Sequence, residues 1–173
     1  LDHEARMVAA AVAAGAPAPS THGIVEADGR RGLVFDRIDG DLLADEVALD
    51  PMRYRQWART LAAAHVGTLS STSSDLPSRI DLMAERIAAA RLDSAVRDAA
   101  LDILAKAPDG DSVLHGDFHP GNVFVTMSEP MVVGWIDAAR GHPSADIART
   151  QWLLSGTETL GEGLNRRVVD HLR

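Results

Sequence analysis

Asp117 lies two residues after His115 and five before Asn122, within His115-Gly116-Asp117-Phe118-His119-Pro120-Gly121-Asn122-Val123-Phe124. A second carboxylate, Asp137, ends the next apolar run at Ile136-Asp137. One carboxylate that can accept a proton, beside an amide and a second carboxylate that can ligate a hard cation, is the equipment of phosphoryl transfer. That reaction asks little covalent chemistry of a protein. It asks for a positioned acceptor and for oxygen ligands to magnesium held close by.

The elements that must position these groups are legible nearby. Val123-Phe124-Val125 and residues 131–136 read as two short apolar strands, joined by the polar, proline-ended stretch 126–130. In an antiparallel hairpin the start of one strand lies beside the end of the other, which predicts Asn122 and Asp137 on one rim with Asp117 facing them from the incoming loop. Each residue alone has a plainer reading. A single Asp or Asn in a Gly/Pro-rich loop is usually a turn former. His115 and His119 stand at i, i+4, a zinc-like spacing, but Pro120 and Gly121 argue against a helix presenting both, and no third ligand has metal-site spacing. The conjunction of loop, hairpin and terminal Asp carries the phosphotransfer reading.

His-x-Asp-x-x-x-x-Asn followed by a second Asp is also the spacing of a kinase catalytic loop and its metal-binding Asp. The segments H-G-D-F-H-P-G-N-V-F and I-D-A-A-R-G-H-P-S-A-D-I-A resemble the aminoglycoside phosphotransferase and choline kinase-like family, a branch of the protein kinase-like fold. Upstream, Glu4-Ala5-Arg6 with Gly15-Ala16-Pro17-Ala18-Pro19 resembles that family's regulatory helix and exit loop. Residues 33–40 resemble its adenine-lining strand and hinge, and Leu61-Ala62-Ala63-Ala64-His65 the helix behind the catalytic loop. The resemblance covers roughly residues 3–155. It implies an α+β chain, mainly a helical C-terminal lobe with a catalytic-loop hairpin (residues 41–173), preceded by a remnant of the N-terminal lobe (residues 1–40).

By the same resemblance, Asp117 orients or deprotonates an acceptor hydroxyl, and Asn122 and Asp137 hold Mg2+ on the phosphates of ATP. Asp36, Arg37 and Ile38 line the nucleotide site, and Glu4 pairs with a phosphate-binding lysine. His115 supports the loop, and Asp146 braces it. Asp146 read alone is a helix-start carboxylate favoured by the dipole, and Glu4 read alone an exposed helix residue. The departures are large. Lys106 is the only lysine among 17 basic residues and precedes the catalytic loop, far from the nucleotide lysine's place; no glycine-rich loop precedes Glu4. A fragment of a longer kinase-like chain, or a shortened gene model, is the simplest expectation, with a degenerate pseudokinase as the competing one.

Composition bounds the rest. The 173 residues fit one domain, and 46% hydrophobic content with only 4% aromatics predicts a core of Leu, Val, Ile and Ala. Absent cysteines exclude disulfides and thiol chemistry. No run approaches the ~18 apolar residues of a membrane span, and no basic-then-apolar leader pattern opens the sequence, so a soluble cytoplasmic protein is expected. A net charge of −8 argues against nucleic acid or anionic membrane as partners. It suits a cationic small-molecule acceptor, and it equally keeps a small domain soluble.

Patterning predicts helices over 3–14, 51–70, 79–91, 94–106, 144–155 and 158–172, and a hairpin of 22–27 with 32–38 around Asp28-Gly29. The 51–70 helix carries Tyr54, Trp57, Leu61, Ala64, His65 and Leu69 on one face, where His65 reads as a satisfied core histidine. Three functions fit. The first is an ATP-dependent phosphotransferase acting on a small-molecule hydroxyl. The second is a kinase-like binding or regulatory module that has lost turnover. The third is a protein-directed kinase, disfavoured because His-Gly-Asp replaces His-Arg-Asp and Asp-Phe-Gly is absent.

Overall fold

The computed structural model describes residues 1–155; the predicted helix over 158–172 lies outside them. Helix α1 (Asp2–Ala13) turns Met7, Val8 and Ala11 inward and stops at Gly15, whose φ of +81° ends the helical path. Strands β1 (Thr21–Ala27) and β2 (Arg30–Phe35) form the expected antiparallel hairpin. Its turn is Asp28-Gly29, both at positive φ, the two-residue geometry that matches strand twist. The hinge then enters β3 (Gly40–Leu42), which pairs with β5 (Val123–Thr126).

Helix α2 (Leu43–Leu49) was not foreseen. It is short, and only Leu43, Ala44 and Val47 reach the core. A single 3-10 turn at Pro51–Arg53 leads into α3 (Tyr54–Leu69), which buries Trp57, Ala64, His65 and Thr68. Helix α4 (Arg79–Ala89) starts at Ser78, whose hydroxyl accepts the Asp81 N–H at 3.3 Å. Helix α5 (Ser94–Leu104) ends before Lys106, so the lone lysine sits past the helix rather than within it.

The predicted second strand of the catalytic hairpin is corrected. Only Met131–Val132 (β6) pair with β5; Gly134 then adopts φ +83°, and Trp135–Asp137 form a 3-10 turn. Asp137 therefore lies on a turn rather than at a strand end. A further pair of three-residue strands, β4 (Ser112–Leu114) and β7 (Ala139–Gly141), clamps the loop from outside, with Leu114 opposite Ala139. This pairing brings His115–Asp117 beside Asp137. Helix α6 (Pro143–Ser155) closes the described chain.

The core joins segments far apart in the sequence: Met7, Val8 and Ala11 of α1 pack in one cluster with Leu43, Trp57, Phe118, Val123 and Trp135. Helix α1 rests on the turn carrying Asp137, and His3 Nε2 lies 2.9 Å from the Ile136 carbonyl. No helix among the described residues is long and apolar enough to cross a membrane.

Candidate active site

The candidate catalytic loop is built on buried imidazole and carboxylate. His115 is fully buried, and its Nδ1 accepts the Asp117 N–H at 3.2 Å. That fixes the proton on Nε2, which donates to the Val133 carbonyl at 2.8 Å. Burial holds its pKa below 6.5, so the ring is a neutral strut between the loop and the hairpin. His119 acts similarly one turn later. Its Nδ1 caps the 3-10 turn at Pro120–Asn122 through the Gly121 N–H, and its Nε2 lies 3.2 Å from Asn122 Nδ2 and 3.6 Å from Asp117 Oδ2. The two histidines face different partners, as the Pro-Gly break predicted.

Asp146, 2% exposed, braces the loop. Its Oδ1 accepts the Gly116 N–H at 2.7 Å; its Oδ2 accepts the His115 N–H at 3.1 Å and His65 Nε2–H at 3.0 Å. Burial pushes this carboxyl up, but the hydrogen bonds from His65 and Gly116 outweigh it and hold the pKa below 3.8. His65 is indeed a core histidine, stacked on Phe118 at 4.1 Å, and it is also the counter-group of the brace. From the same face of α6, Thr150 donates to the Phe118 carbonyl at 3.0 Å, and Arg149 reaches Asp117 Oδ1 at 3.3 Å. Positions 146, 149 and 150 share one helical face, a spacing that could have flagged Arg149 and Thr150 in the sequence.

Asp117, Asn122 and Asp137 are brought together. Asn122 Nδ2 donates to the Asp117 carbonyl at 2.8 Å, which orients the amide and leaves Oδ1 without a hydrogen bond among the described residues. Gly134 lies against that amide; a Cβ there would stand 3.0 Å from Oδ1. Gly116, at φ +84°, has no room either, since a Cβ would lie 2.9 Å from the Asp137 Cβ. Asp137 Oδ1 accepts from Arg86 at 2.8 Å, and the Asp137 carbonyl accepts from Arg79 at 2.7 Å. Sequence reasoning missed both arginines. They lie on one face of α4 at i, i+7, but nothing local links α4 to Asp137, 51 and 58 residues away.

The proposed nucleotide residues divide. Glu4, Asp36 and Ile38 line a cavity of about 310 Å³ with Phe35, Phe124 and Trp135. Arg37 does not line it; its guanidinium is exposed and pairs with Asp39 at 2.8 Å. Asp36 sits at the cavity rim with His22 Nε2 2.6 Å away, and this hydrogen bond lowers its pKa from 3.8. The Glu4 carboxylate meets no cation among the described residues, so the lysine expected beside it has no counterpart there.

Residues 1–172 match the Phosphotransferase enzyme family. No curated protein sequence matches the chain. Among solved structures it is similar to a thermostable mutant of the aminoglycoside phosphotransferase APH(4)-Ia in ternary complex with ADP and hygromycin B. That similarity has 17% identity and a TM-score of 0.65, over 93% of this chain and 64% of that one. The apo form of the same mutant gives 18% identity and a TM-score of 0.60, over 99% of this chain and 72% of that one. A choline/ethanolamine kinase family protein from Mesorhizobium loti gives 20% identity and a TM-score of 0.57, over 99% of this chain and 57% of that one. At such identities the shared property is the α+β, protein kinase-like fold. The chain spans less than two thirds of the length of the ternary-complex relative and of the Mesorhizobium protein.

Proposed function

Because the chain belongs to the Phosphotransferase enzyme family, we propose that it transfers the γ-phosphoryl group of ATP to a hydroxyl of a small molecule. One observation carries this reading: Asp117, Asn122 and Asp137 converge, and both metal candidates keep an oxygen free. Asn122 Oδ1 and the second oxygen of Asp137 have no hydrogen-bond partner among the described residues. Two hard oxygens fit magnesium, which takes few protein ligands and completes its shell with phosphates and water. When bound there, magnesium supplies charge neutralisation on the nucleotide phosphates.

The chain's own residues do the rest. Asp117 orients the acceptor hydroxyl and takes its proton as the new oxygen–phosphorus bond forms and the bond from phosphorus to ADP breaks. Arg149 and His119 flank that carboxylate and fix its direction. Asp146 and His115 hold the loop geometry, which governs rate through orientation. Glu4, Asp36 and Ile38 line the nucleotide cavity; Arg37, at the hinge, acts from outside it. Calorimetric titration with ATP, with and without magnesium, tests the assignment. Magnesium should tighten ATP binding, and Asp137→Ala should remove the gain while leaving the melting temperature near that of the parent. Equal affinity in both conditions would refute the metal site.

The uncompensated Glu4 favours a second reading, a binding module impaired in turnover. Phosphoryl transfer leans on preorganised charge around the phosphates, and a lysine beside Glu4 would supply part of it. We therefore expect the 173-residue chain alone to bind ATP weakly and to transfer phosphate poorly. A coupled ATP-consumption assay over hydroxylated acceptors decides between the readings. Robust acceptor-dependent turnover, abolished by Asp117→Ala, would eliminate the impaired module.

A further inference from the structure

A cavity of about 500 Å³ opens between α4, the end of α5 and the start of α6, against the catalytic loop. Ile80, Met83 and Leu104 supply an apolar wall, and the polar side carries Arg79, Arg86 and Arg149 with the carboxylates Asp137 and Asp146. Arg149 bridges this space to the chemistry, since it lines the cavity and touches Asp117 at 3.3 Å. Arg86 and Arg149 each pair with one site carboxylate. Arg79 makes no ion pair among the described residues, and its one hydrogen bond there goes to the neutral carbonyl of Asp137. A guanidinium has five N–H donors, so most of Arg79's capacity is unspent. Burial depresses its pKa against the pull of Asp146 and Asp137, which means that lost hydration exceeds what nearby carboxylates restore. The Asp146 oxygens, moreover, are already taken by His65 and two loop N–H groups.

Resting on the phosphotransferase reading above, we infer that this cavity receives the acceptor, and that the acceptor carries an acid group, a carboxylate or a phosphate, bound by Arg79 and Arg86 with its hydroxyl toward Asp117. Planar guanidinium forks match such oxyanions with paired hydrogen bonds. An ammonium group entering the same space would meet three guanidiniums, while the lining carboxylates Asp137 and Asp146 already accept from Arg86 and from His65 and two loop N–H groups. The whole-chain charge of −8 points the other way, but it is spread over a solvated surface and screened within about 8–10 Å, whereas the lining acts at contact. The apolar wall suits a short carbon skeleton between the hydroxyl and the acid.

The test titrates the 173-residue chain calorimetrically with 3-hydroxybutyrate, glycerol 3-phosphate, glycerol and choline. A non-hydrolysable ATP analogue and magnesium are present throughout, so that the nucleotide site is filled. At least one acid should bind about tenfold or more tightly than glycerol, and choline should not. Which acid binds separates carboxylate from phosphate recognition. Arg79→Gln should abolish the preference, Arg79→Lys should keep part of it, and Arg86→Gln offers an independent loss should Arg79 variants misfold. Choline binding more tightly than both acids, neither acid exceeding glycerol, or unchanged acid affinity in folded Arg79→Gln and Arg86→Gln would overturn the inference. Acid binding by a chain whose ATP affinity is the same with and without magnesium would uphold the cavity and sink the metal site on which the phosphotransferase reading rests. In a parallel assay with ATP in place of the analogue, turnover of choline alone would do the reverse.

Discussion

The side chains that frame the candidate catalytic loop are sealed: Val113, Leu114, His115 and Phe118 on one side, Val132, Trp135 and Ala139 on the other, all without solvent exposure. Across α4 and α5 no residue is fully buried, although each helix has an apolar stripe. The two regions meet at Asp137, which the loop side positions and the α4 side pairs with arginine. The groups proposed for chemistry are thus fixed by a core that tolerates little change. The wall proposed for the acceptor hangs on few contacts. On this proposal the acceptor wall and the chemistry couple where Arg79 and Arg86 of α4 meet Asp137.

The largest test of this contrast leaves the seal intact and removes the chemistry. In a form of the protein that turns over, Asp117→Asn should lower kcat by about 10²–10⁴ while ATP affinity changes little. Near-normal turnover would mean that Asp117 is not the base. Next, Asp146→Ala strips the brace and leaves His65 and two loop N–H groups unpaired in the core. It should destabilise the chain by about 3–5 kcal/mol in urea unfolding, and a loss under 1 kcal/mol would mean the seal does not depend on it.

Acidification should reach the loop in two stages. Burial holds His115 and His119 below 6.5, so the unfolded chain binds more protons beneath that pH. Their neutral forms favour the fold fully above 6.5, and that advantage declines as pH falls toward their folded values. Asp146, held below 3.8, contributes above 3.8 and is lost only as pH drops through its lower folded pKa. Melting temperature should accordingly start to fall near pH 6.5 and fall further below 3.8, with His119→Asn flattening the first stage. A melting temperature constant from pH 7.5 to 5 would contradict this. The smallest effect belongs to the other region: Ile87→Ala on α4 should cost about 1 kcal/mol or less. A cost matching that of Asp146→Ala would erase the contrast between the two regions.

What the sequence made legible follows the same division. The loop motif, the Asp-Gly hairpin and the long helices announce themselves by local spacing, and His115 and Asp146 stand where the family resemblance implies support. Strands β4 and β7 have three residues each, too few for alternation to register, yet their pairing sets Asp117 beside Asp137. Gly134 interrupts an apolar run that reads as strand throughout, because positive φ leaves no trace in a hydrophobic pattern. Arg79 and Arg86 were invisible for a different reason. Their partners are 58 and 51 residues away, and α4 alone reads as an ordinary charged helix.

The seat of α1 on the turn at Trp135–Asp137 has a consequence for how the chain is made. His3 and Ile136, which touch in the folded protein, are 133 residues apart in sequence. A ribosome adding ~5–20 residues per second delivers that turn roughly ten seconds after α1 has left the exit tunnel. Met7, Val8 and Ala11 must wait all that time without their final partner. Closure of the fold is thereby a late, long-range event, slowed by the entropy of joining distant segments. The nascent chain carries an unsatisfied apolar stripe on α1 until almost the whole catalytic hairpin has been synthesised.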